Sequence, residues 1–349
     1  MRALSGWIVA ALALALSPGA IDAESREADP NHLIKRDKTV MGTVVSVMIW
    51  HDDDTKAATA IKDVFDEFER LEALMTSWTD DSVVARINAT AGTGKWAKVD
   101  EETLLVTQKA LEVSRLTEGA FDISVGAFHN LWKFGSNQDG TIPSEADVSE
   151  RAKLVGYKRI KVNAKKKSVR LGKEGMRITL GGIAKGYTVD RAVKILHEAD
   201  FADFIIQAGG DLYVSGKKGS RQWIVGIRDP RGDRATPFAI TTIENMTFST
   251  SGDYERSLIK DGVRYHHILD PTTGKPAMQC RSVTVMAKDA ISADGLSTAL
   301  FVMGVENGMK LVEKLDDVEA VFVDASNKVH TSSGLKDKLR VLSPPTDGI

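Results

Sequence analysis

Residues 292–303, SADGLSTALFVM, constrain the fold more than any other stretch, because read as one helix they carry two chemistries on opposite sides. At about 100° per residue, Leu296, Ala299, Leu300 and Met303 form one apolar stripe, while Asp294 and Thr298 share the other side. Such a helix must lie between a packed core and a polar cleft. A carboxylate and a hydroxyl one turn apart suit a hard cation such as Mg²⁺, which takes few protein oxygens and completes its shell with water and phosphate. The alternative is that Asp294 caps the helix N-terminus and Thr298 is solvated.

The remaining chain mixes strand and helix patterns without strict alternation, which predicts an α+β class. Amphipathic periodicity predicts helices over 56–75, with Phe65, Phe68, Leu71 and Leu74 or Met75 inward, and over 101–117, stopped by Gly119. Residues 39–50 read as one strand, 159–171 as a hairpin turning at 163–167, and 135–143 as a loop. Further strands are expected at 177–180, 204–208, 223–228, 238–248, 265–269, 282–287 and 320–324, and further helices at 183–198 and 308–315.

The first 23 residues have a short positive start at Arg2, an apolar core from Trp7 to Leu16 and small residues before Glu24, the pattern of a cleaved secretory signal peptide. The mature protein is therefore expected in the periplasm, and with no cysteine near the cleavage point it is not a lipoprotein. Residues 24–37 read as a polar linker or surface tail. Cys280 is the sole cysteine, so an intramolecular disulfide and a cysteine zinc cluster are excluded. A formal charge of −2 gives no basic excess for nucleic acid, so an anionic ligand must be held locally.

Three segments carry candidate chemistry. In 177–190, RITLGGIAKGYTVD, Gly181 and Gly182 stand where a strand becomes a helix, leaving bare backbone and free helix N–H groups for an anion. Lys185 in the first turn opposes the helix dipole unless it serves a ligand. Residues 118–135 combine aromatic and small side chains with one acid, which is either core or a slot for a planar ring. His267 and Asp270 lie where a strand breaks into the Pro271-Thr272-Thr273-Gly274 turn; His267 is a candidate general base that Asp270 could orient, with His266 beside it expected to be dispensable. Residues 207–211 close another strand with bare backbone and an acid.

Met41-Gly42-Thr43, 119–122, 179–190, Gly209-Gly210-Asp211, 250–253, 267–274 and 293–304 together resemble, in order, the motifs of the ApbE family. The resemblance covers nearly all of the expected mature chain and implies one large ApbE-like, T-fold-related domain over 38–345. It also implies an Mg²⁺-dependent FAD:protein FMN transferase, which splits FAD at its pyrophosphate, attaches FMN to a Thr or Ser of a partner and releases AMP. No acceptor-type Ser-Gly-Ala-Thr sequence occurs in this chain, so the modified protein would be another one; the resemblance implies a flavin-accepting subunit of a membrane redox complex. By the same resemblance Asp294, Thr298, the adjacent Ser297 and the backbone of Gly182 hold the metal. Met41, Trp78, Ala120, Phe121, Asp122, Thr179, Lys185 and Ile268 match FAD-contacting positions, and His267 matches the residue that assists proton transfer. Thr179 replaces the family's usual Asp, and Trp78 a frequent Tyr. An FAD pyrophosphatase and a non-catalytic flavin-binding protein stand as the alternatives.

Overall fold

The computed structural model describes residues 32–135, 138–233 and 236–349; the expected signal peptide lies outside them. In chain order the elements are β1 (Leu33–Val40), β2 (Thr43–Trp50), α1 (Asp54–Met75), α2 (Val83–Ala89), β3 (Ala97–Lys98), α3 (Glu101–Leu116), α4 (Glu145–Ala152), β4 (Ile160–Asn163) and β5 (Ser168–Leu171). The second half adds α5 (Ala184–Glu198), β6 (Phe204–Ala208), β7 (Asp211–Ser215), β8 (Trp223–Arg228), β9 (Pro237–Ile243), β10 (Met246–Gly252), β11 (Ser257–Lys260) and β12 (Val263–His266). It closes with β13 (Cys280–Ala287), α6 (Ala290–Val312), β14 (Glu319–Asp324), β15 (Val329–Thr331) and β16 (Arg340–Val341).

Eight strands form one sheet in the order β1-β2-β6-β7-β10-β13-β14-β15, antiparallel at every step. Both faces are covered, and side chains alternate between them. Val45, Val47 and Ile49 of β2 and Phe204, Ile206 and Ala208 of β6 pack on Ile61, Val64 and Phe68 of α1 and Val189, Ala192 and Leu196 of α5. The intervening Met48 and Ile205 join Leu212, Val214 and Phe248 against Trp223, Val225, Ile227 and Phe238 of the small β16-β9-β8 sheet. Coverage on both sides explains why all of β13 is buried. α6 packs Leu296, Ala299 and Leu300 into a core shared with Val106, Ala110 and Val113 of α3 and with Val283 and Val285. The α+β expectation is met, in one domain.

Five local expectations need correction. Residues 39–50 are the end of one strand and all of another, because Met41 (φ 53°) and Gly42 (φ 68°) make a two-residue turn pairing Val40 with Thr43. The segment read as a linker is thus part of the sheet from Leu33 onward. Residues 238–248 divide at Asn245 (φ 52°) into β9 and β10, which belong to different sheets. Residues 177–180 are extended but join no sheet. There the Asn88 side chain accepts from Ile178 N–H (2.7 Å) and donates to Ile178 O (3.1 Å), replacing a strand neighbour. The helix predicted from 292 begins at Ala290 and is broken at Gly304 (φ 72°, ψ 178°), where the expected first helix ends.

Candidate active site

The first turns of α5 and α6 pack against each other, and Asp294 links them. The cap of α6 is Asp289, whose side chain accepts from Ser292 N–H. Asp294 instead caps its neighbour: its Oδ2 accepts from Gly186 N–H at 2.9 Å, in the first turn of α5, which has no side-chain cap of its own. One of the amides expected to be free at this helix end is therefore taken. Lys185 Nζ lies 2.7 Å from Asp211 Oδ2 and 3.5 Å from Asp294 Oδ1. Asp211 opens β7 directly after the glycine pair, and these two carboxylates offset the opposition between Lys185 and its helix dipole.

The electrostatics follow from this crowding. Asp294 is 3% exposed. Burial and then the negative Asp211 push its pKa up, to about 7, against the pull of Lys185 and the Gly186 amide. Burial works against the Lys185 ammonium, but Asp211 and Asp294 outweigh it and hold the pKa above the ordinary lysine value.

Hydroxyls complete the cluster. Ser251 Oγ, on β10, lies 2.8 Å from Ser297 Oγ and 3.2 Å from Thr298 Oγ1. Ser297 also donates to Asp294 O at 2.9 Å. A side chain at Gly182 would come within 3.7 Å of Thr298 Oγ1, so the Gly182 backbone stands over the same spot. Ser249, two residues before Ser251 on the same sheet face and paired in register with Asp211, has a buried Oγ without a hydrogen-bond partner. Among the described residues no three His, Cys, Asp or Glu side chains converge as metal ligands. A cation here would find the Asp294 carboxylate and the Ser251, Ser297 and Thr298 hydroxyls beside the Gly182 backbone. That hard, weakly charged oxygen set fits Mg²⁺ completed by phosphate oxygens, not zinc.

His267 follows β12, and its N–H donates to Arg256 O at 3.1 Å. Its side chain keeps a face open to solvent. The protein packed around it, and then the charges of Arg256, His266 and Lys185, hold its pKa well below the usual 6.5. Water at the open face moderates the burial contribution, whereas the nearby cations fix the direction. Asp270 does not orient this ring: its Oδ1 accepts from Thr272 N–H (2.8 Å) and shapes the Pro271–Gly274 turn, which Trp132 Nε1 holds through Gly274 O (2.9 Å). His266, expected to be the mild neighbour, is buried edge-on against Phe301 with Nε2 2.9 Å from Ala277 O.

The expected flavin contacts divide into accessible and internal groups. Trp78 is 67% exposed, its ring 4.8 Å from that of His129. Met41 and Ala120 are half-buried, Met41 in the β1–β2 turn. Thr179 Oγ1 lies 3.3 Å from both Ser77 Oγ and Gly181 N. Phe121 and Ile268 are core residues, and Phe121 supports Gly182 from beneath instead of presenting a free ring face. The Asp122 carboxylate is used internally, accepting from Ser124 N–H and Oγ and from Tyr157 N–H. Burial still raises its pKa against these bonds. Most aromatics of 118–135 are likewise core, Phe128 and Trp132 packing with Val148 and Val155. Sequence reasoning left Asp211 and Ser251 inside motifs without assigning them roles, and it passed over Arg256 entirely; the acid after Gly209-Gly210 was the available signal for Asp211.

The sequence profile of the ApbE family matches residues 41–322. The FAD:protein FMN transferase of Treponema pallidum is 31% identical to this chain over 323 residues, covering 88% of this chain and 89% of its own. Among solved structures, the ApbE protein of Thermotoga maritima superposes with a TM-score of 0.79 at 35% identity, over 87% of this chain and 98% of its own. The flavin transferase ApbE of Vibrio cholerae gives 0.79 at 28% identity, over 88% and 100%. With this agreement in sequence and fold, the chain belongs to the ApbE family.

Proposed function

We propose that the protein is an FAD:protein FMN transferase, exported to the periplasm, that modifies a Thr or Ser of another protein, a subunit of a membrane redox complex. The observation that carries this reading is the cluster of Asp294, Lys185 and the Ser251, Ser297 and Thr298 hydroxyls where α5 meets α6, with His267 near enough to feel the Lys185 charge. Pure flavin storage needs neither that oxygen cluster nor an imidazole held neutral.

The acceptor oxygen forms a bond to the phosphorus of the FMN half, the bond from that phosphorus to the bridging pyrophosphate oxygen breaks, and AMP leaves with that oxygen. The hydroxyl proton passes to His267, which is neutral at physiological pH because its pKa is depressed. Lys185 supplies fixed positive charge at the developing phosphate charge, and Asp211 holds the ammonium in place. Trp78 offers a ring face for the isoalloxazine or adenine system. Mg²⁺, held by Asp294, Thr298 and the Gly182 carbonyl with Ser297 adjacent, would neutralise phosphate oxygens as a Lewis acid.

The open face of His267 also admits water, the route to an FAD pyrophosphatase. Chromatography of the products from FAD and Mg²⁺, with and without an acceptor protein, separates the two. Transfer predicts AMP release that depends on the acceptor, with little free FMN. Equal AMP and free FMN regardless of acceptor would assign hydrolysis instead.

A further inference from the structure

We propose that Arg256 is a further substrate-binding residue whose guanidinium holds the pyrophosphate of FAD; this rests on the flavin-transferase reading above. Arg256 directly precedes β11 and connects two parts of the cleft. Its carbonyl accepts from His267 N–H at 3.1 Å, and its Nη2 donates to Gly42 O at 3.3 Å, in the turn that carries Met41. That contact is long and uses one of five donors in the guanidinium fork, leaving the others for a ligand.

The residue is exposed and makes no ion pair among the described residues; the neighbouring Glu255 is taken by Arg228 at 3.1 Å. Its charge is nonetheless felt by both Lys185 and His267, so like charges lie near one another there. Asp211 and Asp294 are engaged by Lys185 and do not reach Arg256. A guanidinium without a carboxylate partner, beside another cation and a candidate base, is a ready site for an anion, and it binds phosphate oxygens in a forked, directional way that a lone ammonium does not. An anion bound there would also offset the two cations that depress His267, making it a better base when substrate is present.

The test is flavin fluorescence titration of full-length wild type, Arg256→Gln and Arg256→Lys with FAD and with riboflavin, which has no phosphate, at low and high salt. For Arg256→Gln the FAD Kd should rise about 10- to 100-fold, the range of a lost hydrogen bond to a charged group. Its salt dependence should become shallower, the riboflavin Kd should stay unchanged, and Arg256→Lys should fall between. An FAD Kd within about twofold of wild type in Arg256→Gln, or equal weakening of FAD and riboflavin, would overturn the assignment. Wild-type protein that binds no FAD would overturn the flavin reading, and this inference with it.

Discussion

The contact between α5 and α6 makes Gly186→Ala the sharpest structural test. A Cβ built at Gly186 falls 2.1 Å from Ala290 O and 2.8 Å from Asp294 Cβ, where ordinary contact begins at 3.4 Å. The nearest obstacle is backbone, so no rotamer change relieves it, and the helices must part by about 1 Å. That overpacking costs about 1–3 kcal/mol. It also pulls the Gly186 N–H from Asp294, a bond to a charged group worth about 1.5–3 kcal/mol. Alanine recovers about 1 kcal/mol in helix propensity. The net expectation is a loss of about 1.5–5 kcal/mol, read as a lower urea midpoint at constant m. Gly295→Ala, on the facing helix, is the control. Its Cβ meets only side-chain tips, Val113 Cγ2 at 3.3 Å and Ile183 Cδ1 at 3.4 Å, so stability should stay within about 1 kcal/mol. If the two variants unfold at the same urea concentration, close helix approach does not hold Lys185 and Asp294 together.

Four further outcomes follow from the site. His267→Ala should slow FMN transfer by about 10²–10⁴-fold with FAD affinity unchanged. Because the His267 pKa is depressed, the wild-type base stays unprotonated as pH falls through 6.5, so at saturating Mg²⁺, which keeps the Asp294 carboxylate ionised, the acid limb of the rate profile should lie below that value; a limb at 6.5 that persists at saturating Mg²⁺ would contradict the placement. Trp78→Ala should weaken FAD binding by about 1–3 kcal/mol, the worth of a base stacked on an aromatic, while leaving the urea midpoint unmoved because the ring is largely exposed; unchanged affinity removes Trp78 from the flavin site. Asp294→Asn keeps an acceptor for Gly186 N–H but removes the buried charge, so metal-free protein should be no less stable than wild type while Mg²⁺-dependent turnover collapses; full activity would move the metal elsewhere.

Legibility in the sequence tracked the range of the forces involved. The helices were readable because amphipathic periodicity is local: α1 and α5 begin and end within two residues of expectation, and the stripe Leu296, Ala299 and Leu300 is core. Strand partners were not, because register depends on distant segments. Nothing before Val40 distinguishes a surface tail from β1, and 177–180 has strand-like alternation but receives its hydrogen bonds from Asn88, about ninety residues earlier. The aromatic run at 118–135 was ambiguous for a related reason, since composition cannot say which ring faces solvent; most proved internal, and the accessible ring is Trp78. Asp294 and Thr298 were visible as a pair from helix geometry alone. Their companions Asp211 and Ser251 lie on β7 and β10, and only the fold of the central sheet brings them near. Arg256 was invisible for the same reason: its meaning depends on a missing carboxylate partner, a property of space and not of sequence.

The central claim is that this cleft moves FMN from FAD onto another polypeptide. The most direct measurement is intact-mass analysis of an exported Thr- or Ser-bearing acceptor subunit after incubation with the protein, FAD and Mg²⁺. The account predicts one added FMN phosphoester, loss of that adduct when the acceptor hydroxyl is removed, and its absence with the Asp294→Asn and His267→Ala proteins. An acceptor of unchanged mass beside free FMN and AMP, or an adduct formed equally well by both variants, would contradict it.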